Sequence, residues 1–185
     1  MGWLEHLDHR LFFWVNNGLS TPLLDHLFWV VSALANGVAL SVMVGVGLWY
    51  IDRRMLKQHW GWMIVALLSG TLITQSIKYL LDRPRPLDAF APLLQAGTVQ
   101  LNVIGHHLNH RSFPSGHTQG AASVLTYLTL LYPRQWYWYA SGLCLVALSR
   151  VYLGAHFPSD VLAGAIIGGL CGALAWRLRS KWGQI

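Results

Sequence analysis

Long apolar segments dominate this sequence and restrict what it can fold into. Four or five of them reach the length of a membrane helix, at residues 35–51, 60–81, 116–132, 136–155 and 159–176. A transmembrane helix needs about 20 predominantly apolar residues, with a range of roughly 17–25. Only 11% of the residues are charged, whereas a soluble domain averages about 25%. The sequence therefore predicts an all-α, polytopic bundle of membrane helices.

The N-terminal stretch 11–34 is apolar but interrupted by polar residues, by Gly18 and by Pro22. We expect an interfacial helix followed by a short or tilted membrane helix, with a sixth full span as the alternative. The predicted bundle thus has five to six transmembrane helices and an N-terminal interfacial helix. No repeat or linker divides the sequence, so residues 1–185 are expected to form a single integral-membrane domain.

Small residues recur at helical spacing in the last apolar segment. Gly164, Gly168 and Gly172 stand four residues apart. Small residues at this spacing allow the backbones of neighbouring helices to approach closely in lipid. This pattern predicts tight helix packing, with a pore-lining role as the alternative.

The net charge of +6 is explained by membrane topology and requires no nucleic-acid partner. Basic residues cluster in a short loop around Arg53, at Arg134, and after residue 176. Alternation of the helices places these three clusters on one side, and an excess of Lys and Arg marks the cytoplasmic side. We therefore expect a protein of the cell (inner) membrane with a cytoplasmic C-terminus. The other helix ends would face the periplasm or the extracellular side.

Three stretches place polar residues at those outer helix ends. Residues 78–86 carry three cations, Lys78, Arg83 and Arg85, and end in a Pro-Arg-Pro sequence that stops a helix. Residues 114–117 read Pro-Ser-Gly-His before an apolar run, which is typical of a helix start. Residues 149–160 contain Pro158 in a predicted first helical turn, from which Asp160 can reach back toward His156.

These outer residues together have the composition of a phosphate site. Lys78, Arg85 and Arg150, with the free N–H groups of a helix start, suit a multiply charged anion. His117, His156 and Asp160 are of the types that serve as acid, nucleophile and orienting group. Each stretch alone has a simpler explanation, because cations at helix ends often extend to the membrane surface. Polar groups that converge on one site within the membrane, however, are candidates for a functional role.

The three stretches resemble the signature motifs of the type 2 phosphatidic acid phosphatase superfamily. The first motif is Lys78, followed after six residues by Arg85-Pro86. The second is Pro114-Ser115-Gly116-His117. The third is Ser149-Arg150, followed after five residues by His156 and after three more by Asp160. Order and spacing agree at every motif position. The superfamily also includes soluble vanadium haloperoxidases, and the membrane composition here favours the lipid phosphatase branch.

The resemblance implies a two-step phosphoryl transfer through a phosphohistidine. It implies that His156 is the nucleophile, that Asp160 orients it, and that His117 acts first as acid and then as base. The phosphate-binding residues that it implies are Lys78, Arg85, Ser115, Gly116 and Arg150. No metal or other cofactor is expected, since one carboxylate near the site is too few for a two-metal centre.

The expected function is hydrolysis of the phosphomonoester or diphosphate of a membrane lipid. Undecaprenyl diphosphate and phosphatidylglycerol phosphate are the favoured substrates, while phosphatidate and lipid A stay open, as does the oligomeric state. The resemblance also carries a caution, because many dedicated undecaprenyl diphosphate phosphatases have aspartate where Gly116 stands. The alternative function is an anion or lipid transporter or channel that uses the same cationic site.

The stretch 87–113 is expected to be a long loop that roofs the site on the membrane surface. It contains a cluster of three histidines, His106, His107 and His110. We interpret the cluster as part of a solvated or headgroup-facing loop rather than as a metal site. Arg83 and Arg111 are candidates for binding a second phosphate or an anionic lipid.

Overall fold

The computed structural model describes residues 2–105 and 109–182, and all regular structure within these ranges is helical. The α-helices are α1 (Trp3–Asn16), α2 (Pro22–Leu34), α3 (Gly37–Ile51), α4 (Arg53–Leu81), α5 (Pro86–Ala89), α6 (Ala91–Gln95), α7 (Gly116–Leu131), α8 (Trp136–Tyr152) and α9 (Pro158–Trp182). A short 3-10 helix, Pro133–Gln135, joins α7 to α8. The predicted all-α class is confirmed for the described residues.

Side-chain caps and prolines fix where several helices begin. Pro22 opens α2, where the Thr21 side chain accepts a hydrogen bond from the Leu24 N–H. Asp52 alone separates α3 from α4, and its carboxylate accepts from the first N–H groups of α4. Arg53 therefore lies in the first turn of α4, and the short basic loop expected here is replaced by a helix start.

The centre of the molecule is α7, which packs against α9, α4, α8 and α3. Its contact with α9 is the most extensive in the described part of the chain. A Cβ atom added to Gly164 would lie 2.4 Å from the Ser115 carbonyl oxygen, and one added to Gly168 would lie 2.1 Å from that of Gln119. The glycines of α9 therefore serve helix packing, as the spacing predicts, and not a pore.

Helices α4 and α9 run antiparallel. Near one end of the pair, the Arg179 guanidinium donates to the Gln58 side chain over 3.2 Å. Near the other end, the Arg83 guanidinium lies 2.6 Å from the Asp160 carboxylate. The basic ends of the two helices thus lie together, and the three motif stretches meet at the opposite end.

Within the residues that the structure describes, two stretches are long and apolar enough to cross a membrane. They are Arg53–Gln95, which comprises α4 to α6, and Pro158–Lys181 in α9. Helices α2 and α3 pass the same test only as a pair, bent by 74° relative to each other. Helices α7 and α8 have 16 and 17 residues. The structure therefore supports a membrane-spanning helical bundle, while the predicted number of five to six spans stays a prediction.

Helix α1 has one buried face and one exposed face. Phe12 and Val15 are buried in a cluster with Phe157 of the third motif. Trp3 and Trp14 are exposed on the outer face. A helix with this distribution is suited to a membrane interface, and the interfacial position stays a prediction. The buried face ties the N-terminus to the end of the bundle where the motifs meet.

The described residues between 87 and 113 contain more helix than the predicted loop. Asp82, with φ of 37°, takes a left-handed conformation that ends α4, and the chain stays extended through Arg85. Pro86 then begins α5, and α6 follows directly. Leu94, Val99 and Ile104 pack against the cluster around Phe157, so these residues cover the end of the bundle where the motifs meet.

Candidate active site

His156 and Asp160 form a buried pair at the start of α9. Their side chains are 3% and 0% exposed, and His156 Nδ1 lies 3.5 Å from Asp160 Oδ2. The same oxygen accepts hydrogen bonds from the Phe157 N–H and from the Ser112 hydroxyl. Pro158 starts the helix one residue after Phe157, so the carboxylate of its first turn faces back toward the histidine. This is the arrangement that the third motif predicts.

The neighbours of His156 determine which ring nitrogen carries the proton. Nδ1 faces the Asp160 carboxylate, which only accepts hydrogen bonds when ionised. Nε2 lies 3.3 Å from Nη1 of Arg85, which can only donate. The hydrogen-bond network therefore assigns the proton to Nδ1 and leaves a lone pair on Nε2.

Electrostatics keep the His156 ring neutral. Burial lowers the pKa of His156 to about 3, and the positive charges of Arg85 and Arg150 act in the same direction. The hydrogen bond and the charge of Asp160 oppose this shift of the pKa, and they are outweighed. An uncharged imidazole at neutral pH has the free electron pair that a nucleophile requires.

Lys78 and Arg85 are buried cations held by backbone carbonyl groups. Lys78 Nζ donates to the carbonyl oxygens of Arg111 and Ser112. The Arg85 guanidinium donates to those of His110 and Ala155, each over 2.9 Å. In the ranges 2–105 and 109–182, no carboxylate forms an ion pair with either cation. Both positive charges are thus available to an anion.

Arg150 is a third buried cation, 8% exposed, at the end of α8. Its Nη1 donates to the hydroxyl of Ser32 on α2. Its Nε is buried and has no hydrogen-bond partner among the described residues. A buried donor without a partner is costly, and a phosphate oxygen would satisfy it.

The second motif forms the start of α7. Ser115 caps the helix because its side chain accepts a hydrogen bond from the Thr118 N–H, and its own N–H donates to the Asp160 carbonyl oxygen. Apart from its chain neighbours and its own helix backbone, Gly116 has no described atom within 4 Å of the position where it would carry a Cβ atom. The first N–H groups of a helix lack partners within the helix, so this open space is suited to an anion.

Two cavities border the motif residues. One, of about 420 Å³, is lined by His117 and Arg150 together with Trp29, Ser32, Ala33, Asn36, Ile104, Gly105, Leu153 and Ala155. The other, of about 470 Å³, is lined by Lys78 and Arg85 together with Gln75, Asp82, Asn109, His110 and Arg111. The first lining is mainly apolar and the second mainly polar, so the cationic site has a side suited to a lipid and a side suited to water.

Three polar residues at the site were missed or misinterpreted from the sequence. Ser112 donates to Asp160 Oδ2, and Asp8 of α1 contacts Ser159 and Arg83. Arg83, considered for a second phosphate, is instead paired with Asp160 and Asp8. No sequence pattern connects residues so far apart along the chain.

The remaining candidates are peripheral. Arg111 stacks over the Tyr79 ring and lies 3.8 Å from Asp82, with about half of its side chain exposed. His110 lines the polar cavity, while His106 and His107 lie outside the described residues. Among the described residues, no group of three or more His, Cys, Asp or Glu side chains is arranged to hold a metal ion.

Comparison with known proteins identifies the family. A family model described as the PAP2 superfamily matches residues 59–184, which include all three motifs. The chain belongs to the PAP2 superfamily. The expectation of a membrane lipid phosphatase that needs no metal is thereby confirmed at the level of this family. The comparisons give no support to the transporter or channel alternative.

Individual relatives of this PAP2 protein agree with that placement. Lipid A 4'-phosphatase of Porphyromonas gingivalis is 26% identical over 98% of this chain and 78% of its own length. The crystal structure of Aquifex aeolicus LpxE has 31% identity and a TM-score of 0.72, covering 92% of this chain and 95% of that one.

A second solved structure shares the fold at lower sequence identity. It is the transmembrane PAP2-type phosphatidylglycerolphosphate phosphatase of Bacillus subtilis, with 22% identity and a TM-score of 0.75 over 98% of this chain and 88% of that one. The helical PAP2 architecture therefore extends over nearly the whole chain, including α1 and α2, which precede the match to the family model.

Proposed function

We propose that residues 1–185 act as one membrane phosphatase domain that removes phosphate from a lipid phosphomonoester or diphosphate through a phosphohistidine on His156. The observation that carries this proposal is the environment of Nε2. Its lone pair points toward the Arg85 guanidinium, 3.3 Å away, while Asp160 accepts from the opposite side of the ring. A phosphoryl group bound by Arg85 would therefore lie in front of the nucleophile.

In the first step, the Nε2 lone pair attacks phosphorus and the bond to the lipid oxygen breaks. His117 donates a proton to the leaving oxygen. Lys78, Arg85 and Arg150, with Ser115 and the Gly116 N–H, bind the phosphoryl oxygens as charge develops on them. The Asp160 carboxylate stabilises the positive charge that the phosphorylated imidazole acquires, as the carboxylate does in a Ser-His-Asp triad.

In the second step, His117 removes a proton from water, and the water oxygen attacks phosphorus. The P–N bond breaks, its electron pair returns to Nε2, and inorganic phosphate is released. Fixed cations provide the electrostatic stabilisation that metal ions supply in other phosphatases.

The two cavities support a lipid substrate with a defined orientation. The acid His117 must lie beside the leaving oxygen, and it lines the cavity that also contains Trp29, Ala33 and Leu153. The lipid part of the substrate would occupy this side. Undecaprenyl diphosphate and phosphatidylglycerol phosphate are the substrates that we propose first, and lipid A comes next because of the Porphyromonas gingivalis relative.

The proposal is tested with purified protein in detergent and a panel of these lipids, phosphatidate included. We expect phosphate release from at least one lipid without added metal, and none from His156→Ala. Brief reaction with substrate labelled at the transferred phosphorus should leave an acid-labile label on the wild-type protein and none on that variant. Turnover by His156→Ala, or label on another residue, would contradict the assignment.

A further inference from the structure

The N-terminal helix α1 contributes a carboxylate to the outer end of the bundle. Asp8 is 6% exposed, so its charge is largely removed from water. Its Oδ1 accepts from the Ser159 N–H over 2.8 Å. Its Oδ2 accepts from the Ser159 hydroxyl over 2.6 Å and from Arg83 Nη2 over 2.8 Å. A buried carboxylate with three hydrogen bonds has a fixed orientation.

Arg83 connects this carboxylate to Asp160. One nitrogen of its guanidinium, Nη1, donates to Asp160 Oδ1 over 2.6 Å and to the Ser159 hydroxyl over 2.7 Å. The other, Nη2, donates to Asp8. The guanidinium also stacks on the Phe157 ring, at 4.5 Å from the ring centre. A planar guanidinium can bridge two carboxylates in this way, whereas a lysine cannot.

These contacts leave the Asp160 carboxylate no freedom to rotate. Oδ1 is held by Arg83, while Oδ2 is held by the Ser112 hydroxyl and the Phe157 N–H beside His156 Nδ1. The position of the oxygen that faces the imidazole thus depends on where Arg83 lies. The position of Arg83 depends in turn on Asp8, from a helix outside the match to the family model.

We propose that Asp8 and Arg83 are positioning residues for the phosphatase reaction. Asp8 of α1 holds Arg83, Arg83 holds Asp160, and Asp160 in turn aligns His156. The inference rests on the roles of His156 and Asp160 proposed above. Neither Asp8 nor Arg83 touches the reacting atoms in this scheme.

The test variant is Asp8→Asn, which keeps an acceptor for the Ser159 N–H but turns an amide N–H₂ or an uncharged oxygen toward Arg83. We expect kcat to fall roughly 10- to 100-fold, because misplacing a reacting group by about 1 Å costs on the order of 100-fold. KM should stay close to the wild-type value, since the phosphate-binding cations do not contact Asp8. Glu5→Gln, the same change at an exposed position of α1, should leave kcat unchanged.

A second comparison separates positioning from general destabilisation. In an Asp160→Asn background, Asp8→Asn should cause little further loss of kcat, because residues that act through one another are non-additive. Arg83→Lys should reproduce the loss of kcat, and it replaces Asp8→Asn in the test if the latter does not yield folded protein. Arg10→Lys, at an exposed position of α1, is the matched control for replacing arginine by lysine.

Three results would overturn the inference. The first is an unchanged kcat in Asp8→Asn or Arg83→Lys, and the second is a change in KM alone. The third is a double variant, Asp8→Asn with Asp160→Asn, whose fold-loss in kcat equals the product of the two single losses. These results concern only Asp8 and Arg83. Failure of the proposed function is recognised separately, because His156→Ala would then retain turnover.

Discussion

At the scale of single residues, the two histidines of the site differ in what surrounds them. His156 is enclosed, with Asp160 on one ring nitrogen and Arg85 on the other. His117 follows the first residue of α7 and lines the cavity with the more apolar lining. A nucleophile benefits from the first environment. An acid that must reach the oxygen of a departing lipid benefits from the second.

This difference predicts how the His117→Ala variant responds to the substrate. With a lipid alcohol as leaving group, the rate should fall by about 100- to 10,000-fold, the usual contribution of general acid catalysis. An activated aryl phosphate, whose leaving group needs no proton, should lose much less. Parallel kcat/KM measurements on both substrates check this. Equal losses, or phosphate trapped on His117, would show that the roles are wrongly assigned.

Asp160→Asn should lose most of its activity in a way that alkaline pH does not restore. Since Asp160 raises the pKa of His156, removing its charge lowers that pKa further, and the ring stays neutral. The loss must then come from the wrong tautomer or orientation, as it does when the triad carboxylate is changed in serine proteases. The check is kcat/KM against pH for both proteins, with circular dichroism as the control for folding. Recovery at high pH would contradict it.

The sequence predicted part of this site because motif residues stand at fixed spacings. Asp160, four residues after His156, is placed beside it by the geometry of a helix start. Ser112 and Asp8 could not be predicted in the same way. Their contacts with Asp160 and Ser159 join residues 48 and 151 positions apart, and only the packing of the helices brings them together.

At the scale of helices, the contact of α9 with α7 should tolerate no side chain at Gly168. Its Cβ would overlap the Gln119 carbonyl oxygen, whereas at neighbouring Gly169 the nearest atom would be 3.6 Å away, an ordinary contact. Gly168→Ala should therefore destabilise the protein by about 1–3 kcal/mol, as overpacking does. Gly169→Ala should be close to neutral. Unfolding in detergent measures both, and equal effects would contradict this account of the packing.

Helix positions were predictable from hydropathy, but helix ends were less so. The starts of α7 and α9 agree with the prediction because Ser115 and Pro158 have local effects on the backbone. The start of α4 was placed seven residues too late, at residue 60 instead of Arg53. The hydropathy pattern marks only the apolar part of a helix and stops where polar residues begin. The Asp52 cap allows α4 to start among those polar residues.

At the scale of the whole molecule, the separation of basic ends and motif ends predicts its orientation. We expect the motif end to face outward and the C-terminus to lie inside. A cysteine at exposed Thr98, with Cys144 and Cys171 replaced by alanine, should react with an impermeant thiol reagent in intact cells. A cysteine at exposed Arg134 should react only after lysis. The reverse pattern would show the opposite orientation.

The lengths of the central helices have a consequence for the surrounding lipid. At a rise of about 1.5 Å per residue, the 16 residues of α7 and the 17 of α8 cover about 24 and 26 Å, less than the roughly 30 Å of a hydrocarbon core. Helices α4 and α9, with 29 and 25 residues, are long enough for an ordinary bilayer. We therefore expect the bilayer to become thinner only on the side where it meets the shorter helices. The headgroup plane is then drawn toward His156, so turnover should be faster in short-chain than in long-chain phosphatidylcholine vesicles. Equal rates in both would mean that membrane thickness does not control access to His156.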